Sequence, residues 1–386
     1  MYKNEIVGET YGEISREGTF KLTVAEQRMN MEIEETTSKK LRVAVLFGGC
    51  STEYDVSLQS SYAVITKLNK ERYEIIQIGI TPQGDWFRFF GSPEQIANDT
   101  WRKSGQCISA IISPDRNTHG LVEFHQDRVI VTEIDIVFPV LHGKNGEDGT
   151  IQGLLEMAGI PFVGCNTLSS AICMDKDVAH QLVALKGIRI PESVIISQRI
   201  LEDELMFLTK ELNYPLFVKP VKAGSSLGIT KVINKDELFT ATLTAFEYDN
   251  KIIIEECIEG FEVGCAVLGN QELIVGKVDE IELSQGFFDY TEKYTLKTSN
   301  IHMPARVDEA TEKRIRETAI TIYQGLHCTG FARVDMFLTP EHEIVFNEVN
   351  TIPGFTSHSR YPSMLNGIGM TYEEILDALI RMAMEI

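Results

Sequence analysis

Residues 346–360 read FNEVNTIPGFTSHSR, and the spacing inside this stretch decides the fold. Glu348 and Asn350 stand two apart, and side chains two apart on a strand share a face. The strand then breaks at Ile352-Pro353-Gly354, because proline has no N–H to give to a ladder. An acid and an amide on one face are unusual for a packed strand. Either this is a surface strand with its polar side outward, or the pair serves a hard cation, which prefers oxygen ligands.

The run GFARVDMFL (330–338) carries the same pattern, with Arg333 and Asp335 two apart. Between the runs, TPEHE (339–343) has the length of a hairpin connection, so the strands are expected to pair antiparallel. Asp335, Glu348 and Asn350 then converge. Two carboxylates and an amide oxygen suit magnesium rather than calcium where phosphate is also bound. Arg333 beside them would offset charge on a phosphate or an oxyanion. The competing reading is a salt-bridged exposed hairpin.

The chain has 386 residues, 43% of them hydrophobic, enough for more than one domain. A formal charge of -20 argues against nucleic-acid and anionic-membrane partners, which need basic patches. The seven cysteines are scattered and form no C-x-x-C pair, as expected for reduced thiols in a cytoplasmic protein. No apolar run is long enough to span a bilayer, and the first residues lack the apolar core of a signal peptide.

Residues 1–40 are polar and without period, and are read as a flexible extension. From LRVAVLF (41–47) onward, short apolar runs alternate with amphipathic ones, which implies an α/β sheet. Strands are expected in YEIIQIGIT, IDIVFPVLHG and IPFVGC, and helices in DVSLQSSYAVITKLNK and GTIQGLLEMAG. Residues 83–128 read as an insertion with short strands of its own. The boundaries place an N-terminal α/β domain at 41–164, a central domain at 165–259 and a C-terminal domain at 260–386. The central domain opens with a helix over 167–186. A closing helix spans 371–385.

Four further motifs carry chemistry. VKPVKAGSSLGI (218–229) sets Lys219 in an apolar strand, where it needs an anion. Its Gly224-Ser225-Ser226 loop could wrap phosphate with backbone amides and hydroxyls, although the Walker A order is absent. That anion is either a ligand phosphate or a structural acid. IIIEECIEGFE (252–262) places Glu255 and Glu262 across a domain boundary, as site residues or as solvated acids. LFGGCSTEYDVS (46–57) follows a strand with Gly-Gly and lacks the dinucleotide fingerprint. FPVLHGKNGEDGT (138–150) puts His142 in a Gly-rich loop, where it meets a ligand or caps a turn.

Together with MDKD, FFDYTEKY and FNEVNTIPGFTSHS, these strings follow one another from 46 to 359 in an order that resembles the D-alanine–D-alanine ligase family of the ATP-grasp superfamily. The resemblance covers nearly all of 41–386. It implies a three-domain ATP-grasp ligase, α/β and α+β in class, with the central domain binding ATP and the C-terminal domain catalytic. In such enzymes ATP phosphorylates the carboxylate of a first D-alanine, and a second substrate's amine attacks the acyl phosphate. The resemblance assigns Lys176, Lys219 and Ser226 to the ATP phosphates. It assigns Glu255 and Ile258 to adenine and Glu262 to ribose. Asp335, Glu348 and Asn350 would hold two Mg²⁺ ions, with Mn²⁺ as the substitute. Glu53 would bind the first ammonium group with His142 near its carboxylate, and Ser225 and Tyr294 would tie Glu53 to a mobile loop at 285–300. Arg333 and the Gly354 amide would form the oxyanion site. Ser359 and Phe288 would meet the second substrate. Members of the family are usually homodimers.

Two places bear on the second substrate. TEKY (291–294) is like the D-alanine- and D-serine-using ligases, and the loop has no histidine of the D-lactate kind. Arg360 in HSRYP stands where housekeeping enzymes usually carry Leu or Met, and resembles vancomycin-resistance ligases. The combination is most similar to the D-alanine–D-serine type. The alternatives are a housekeeping D-alanine–D-alanine ligase, in which Arg360 only pairs with an acid, and a non-catalytic nucleotide-binding protein on the same fold. The latter would lack a metal ligand or Arg333, and none is missing.

Overall fold

A computed structural model describes residues 39–224, 227–283 and 299–385, and among these described residues there are sixteen strands and ten α-helices. Ser225, Ser226, Phe288, Tyr294 and nearly all of the extension and the 285–300 loop lie outside the described residues. From Leu41 onward the chain forms one compact unit.

The first sheet has seven strands: β1 (Leu41–Gly48), β2 (Tyr73–Ile80), β3 (Trp86–Phe89), β4 (Cys107–Ile112), β5 (Gly120–Phe124), β6 (Val129–Glu133) and β7 (Ile136–Pro139), in the order β6-β5-β4-β3-β2-β1-β7. β1 is parallel to both its neighbours, β2 and β7. It is a buried run, Val43 to Phe47 being fully inaccessible, as strands covered on both faces require. Helix α1 (Tyr54–Lys67) follows β1, and the short α2 (Pro93–Ala97) lies in the 83–128 insertion. Helix α3 (Thr150–Ala158) follows β7. IPFVGC makes no strand. It offers a single bridge, Val137 to Phe162.

The expected helix over 167–186 is two helices, α4 (Thr167–Met174) and α5 (Lys176–Ala184). Asp175 breaks them: its backbone is extended and its carboxylate caps α5 by accepting from Val178 N–H. A four-stranded sheet follows, ordered β10-β9-β11-β8, from β8 (Ser193–Ile196), β9 (Leu216–Pro220), β10 (Thr230–Val232) and β11 (Ile252–Glu256). Helices α6 (Glu202–Leu208) and α7 (Lys235–Ala245) belong to this region, and Leu216, Val218, Leu238, Ala241, Ile252 and Ile254 form its own core.

The third sheet is ordered β14-β13-β12-β15-β16, from β12 (Phe261–Leu268), β13 (Ile274–Leu283), β14 (Ser299–His302), β15 (Phe331–Leu338) and β16 (Ile344–Asn350). Helix α8 (Glu309–Gly325) packs on it through Ile315, Ala319 and Ile322. Two helices close the chain, α9 (Arg360–Asn366) and α10 (Tyr372–Met384). Phe331, Phe355, Tyr361 and Leu379 share one core with Val45, Phe47 and Phe138 of the first sheet. The segment between β16 and α9 is therefore trapped between the two sheets.

Candidate active site

The hairpin of β15 and β16 pairs as expected, with Arg333 opposite Asn350 and Asp335 opposite Glu348. Directly opposed residues share a face, so all four side chains point one way. Across β12 and β13 the same row continues through Gly264 to Asp279. Arg333 donates to both oxygens of Asp335, at 2.8 and 3.0 Å from Nε, and Asn350 Nδ2 donates to Asp335 Oδ2 at 2.9 Å. Asp335 is 1% exposed. A buried carboxylate needs such donors, since an unpaired charge off water is costly.

Arg360, at the head of α9, reaches back over this row. It donates from Nε and Nη2 to Asp279 and from Nη1 to Glu262 Oε1 at 2.8 Å, and Nη2 lies 3.4 Å from Asp335 Oδ1. The guanidinium is thus spread among three carboxylates. Glu262 is one of them, so its expected ribose role and its contact with Arg360 concern the same carboxylate.

A cleft opens beside this row, lined by Glu53, Glu147, Met174, Lys176, Gly224 and Glu348 among others. Glu53 precedes α1, after the Gly-Gly turn of β1. Loops beyond the carboxyl ends of parallel strands are the usual ligand crevice of such sheets. Its neighbours must be small. A Cβ at Gly143 or Gly224 would stand 2.3 or 2.8 Å from the Glu53 carboxylate, and Gly143 has a φ of +71° that favours glycine. Lys176, at the first position of α5, donates to the Ala223 carbonyl at 3.1 Å and lies 3.5 Å from Glu348 Oε2.

Lys219 finds its anion in Glu255: the two form a buried ion pair, 9% and 1% exposed. Burial alone would raise the Glu255 carboxyl, but the Lys219 ammonium, with His180 and Lys176, outweighs it and the net shift is downward. Ile258 lies half-buried between β11 and β12. His142 is 4% exposed, with Nδ1 2.8 Å from the Ile352 carbonyl and Nε2 3.1 Å from Ser60 Oγ. Both ring nitrogens are occupied within the protein, and burial lowers the imidazole pKa. Ser359 Oγ accepts from Thr356 N–H and stands 3.1 Å from where a Gly354 Cβ would be.

The residues therefore gather as expected on the third sheet and at the two loops of the first. Three partners were not anticipated from sequence. Asp279 carried a signal, an acid two positions from Ile281 on one strand face. Glu147 lay inside a quoted motif, and Ser60 inside the α1 pattern, with nothing to mark either.

Among the described residues no three His, Cys, Asp or Glu side chains form a cluster ready for an ion. Asp335, Glu348 and the Asn350 amide nevertheless offer oxygen to a hard cation, and the carboxyl groups around the cleft outnumber Arg333, Arg360 and Lys176. That surplus of negative charge fits divalent cations.

Comparison with known proteins gives the family. Family models match over residues 42–165, D-ala D-ala ligase N-terminus, and 182–381, D-ala D-ala ligase C-terminus. The chain belongs to the D-alanine–D-alanine ligase family, and is an ATP-dependent ligase of the ATP-grasp fold. The D-alanine–D-alanine ligase of Caldicellulosiruptor bescii is 43% identical over 351 residues, 90% of this chain and 96% of that protein. The vancomycin/teicoplanin A-type resistance protein VanA of Enterococcus faecium is 44% identical, covering 90% of this chain and 99% of VanA. The crystal structure of the VanG D-Ala:D-Ser ligase from Enterococcus faecalis is 58% identical, with a TM-score of 0.83 over 89% of this chain and 100% of that one. The seven cysteines form no disulfide, and among the described residues no helix is long and apolar enough to cross a membrane.

Proposed function

We propose that the protein joins the carboxyl group of D-alanine to the amino group of D-serine, with ATP activating the carboxyl as D-alanyl phosphate, as a resistance-type ligase. The observation that carries this reading is the convergence of Glu53, Lys176, Glu348 and Asn350, from separate segments, on one cleft. In this reading 41–164 serves the first substrate, 165–259 the nucleotide and 260–386 the catalytic groups.

Glu53 holds the ammonium of the first D-alanine. Lys176 and Lys219 turn from their carboxylates to the ATP phosphates, while Glu255, Ile258 and Glu262 bind the nucleoside. Magnesium held by Asp335, Glu348 and Asn350 would neutralise polyphosphate charge. Phosphoryl transfer needs mainly positioning and electrostatics. Arg333 and the Gly354 N–H then meet the oxyanion that develops when the amine attacks, where a preformed donor contributes most. Ser359 and Arg360 border the second subsite.

The D-serine preference is supported by Arg360, by the TEKY stretch, and by similarity to the VanG D-Ala:D-Ser ligase of Enterococcus faecalis. The test is product analysis with ATP, Mg²⁺ and D-alanine, with D-serine and D-lactate in competition. D-Alanyl-D-serine is the expected main product. A dominant D-alanyl-D-alanine product would overturn the acceptor assignment, and no ADP release with any pair would overturn the catalytic one.

A further inference from the structure

The four residues from Ile352 to Phe355 are fastened at both ends by side chains from distant parts of the chain. Ile352 N–H donates to Glu147 Oε1 at 2.8 Å, and its carbonyl lies 2.8 Å from His142 Nδ1. Phe355 N–H donates to Ser60 Oγ at 3.3 Å, and the Tyr372 hydroxyl donates to the Phe355 carbonyl. Ser60 is also 3.1 Å from His142 Nε2. The bonds run in one direction. Phe355 N–H gives to Ser60, Ser60 O–H to His142 Nε2, and His142 Nδ1–H to the Ile352 carbonyl, which is the pattern of a neutral imidazole. Glu147 uses its second oxygen to accept from Gly143 N–H at 2.8 Å. Ser60, Ile352 and Phe355 are 0%, 3% and 1% exposed, so water does not compete for these bonds.

What lies between the anchors matters. Pro353 has no N–H. The Gly354 N–H has no acceptor among the described residues. It is the one donor this segment leaves over. Peptide units are planar, so holding both polar groups of Ile352 and both of Phe355 fixes the planes on either side. The proline ring restricts the rotation that remains.

We infer that Ser60, Glu147 and Tyr372 are positioning residues, which aim the Gly354 N–H by holding the peptide planes that flank it. The inference rests on the reading of Gly354 as oxyanion donor. It extends that reading to three residues given no role in it so far, of which Glu147 also lines the cleft. The physical reason is preorganisation. A donor already aimed when charge develops needs no reorganisation, and a displacement near 1 Å is expected to cost about 100-fold in rate.

The test uses the full chain and the variants Ser60→Ala, Tyr372→Phe and Glu147→Ala. Hydrogen exchange is read over residues 351–356, and steady-state kinetics with ATP, Mg²⁺ and the two amino acids. Exchange in that segment is expected to rise about tenfold in each variant, as for the loss of one hydrogen bond, while β15 and β16 are unchanged. Turnover is expected to fall about 10- to 100-fold with KM for ATP held within about twofold. A merely structural contact would not produce that split. Unchanged exchange, or a raised KM at constant kcat, overturns the inference. Should Glu147→Ala fail to fold, the two milder variants decide. A wild-type chain that forms no product while its variants still exchange faster would overturn the role of Gly354 and leave the fastening standing.

Discussion

Arg360 and Asp279 form a two-point ion pair across the backbone of Gly264, Nε to Oδ2 at 2.7 Å and Nη2 to Oδ1 at 2.8 Å. Gly264 N–H adds a third bond to Asp279, at 3.0 Å. The absence of a side chain at 264 is what lets the guanidinium lie flat between Asp279 and Asp335. The pair anchors the head of α9, and with it Ser359, to the sheet that carries the candidate metal ligands.

A methyl group at 264 has no room. The Cβ of Gly264→Ala would stand 2.3 Å from Arg360 Nη2 and 2.7 Å from Asp279 Oδ1. Stability should fall by about 1–3 kcal/mol, as for overpacking, measured by denaturant unfolding. The same displacement should change the ratio of D-alanyl-D-serine to D-alanyl-D-alanine. Arg360→Met should lower the D-serine share, and an unaltered ratio would remove Arg360 from acceptor choice.

Lys219 and Glu255 depend on each other. Lys219→Met leaves a buried carboxylate without its cation and is expected to cost about 3–5 kcal/mol in unfolding free energy. Adding Glu255→Gln should recover most of that loss. ADP release should stay low in both variants, because the ammonium is what the phosphates need. If the double variant is no more stable than the single one, the pair is not the source of the effect.

Glu348→Gln keeps the shape of the side chain and removes the charge offered to a cation. The Mg²⁺ concentration giving half-maximal ADP release should rise by at least about 100-fold, since even residues behind a ligand cost 10- to 100-fold. The Mg²⁺ titration of wild type and variant checks this. Superimposable curves would exclude Glu348 as a ligand.

Glu147 makes stability depend on pH. Burial, and after it the Glu53 charge, push its carboxyl up to about 8 from an ordinary 4.5, outweighing the two N–H groups it accepts from. Between those values the folded protein binds more protons than the unfolded chain. Its stability therefore drops as pH climbs through the window, and the contribution is gone above the folded pKa. Glu147→Gln cannot ionise. Its melting temperature should vary less between about pH 5 and pH 8 than that of the wild type. Equal slopes would trace the dependence to other groups.

The β15–β16 hairpin was legible in the sequence because period-two alternation and a five-residue connection are local properties. The shared face of Arg333, Asp335, Glu348 and Asn350 follows from the same period. The need of Lys219 for an anion was legible too, although which anion was not. Local signals also misled. IPFVGC has strand composition but obtains only one bridge, because pairing depends on what lies beside it. Asp175 sits inside a helical pattern and ends one helix to begin the next.

By itself the sequence determined most of the elements, the polar faces of the β15–β16 strands and the order of motifs that marks the family, since all of these depend on residues a few positions apart. Only the tertiary structure decided the partners. Arg360 meets Asp279 from 81 residues away, and Glu147 meets Ile352 from 205 away. The first contact ties α9 to β13, and the second joins the first-sheet region to the segment after β16, where both share a core around Phe355. Which donor faces which acceptor then follows from how the sheets pack, and a local pattern carries no record of that.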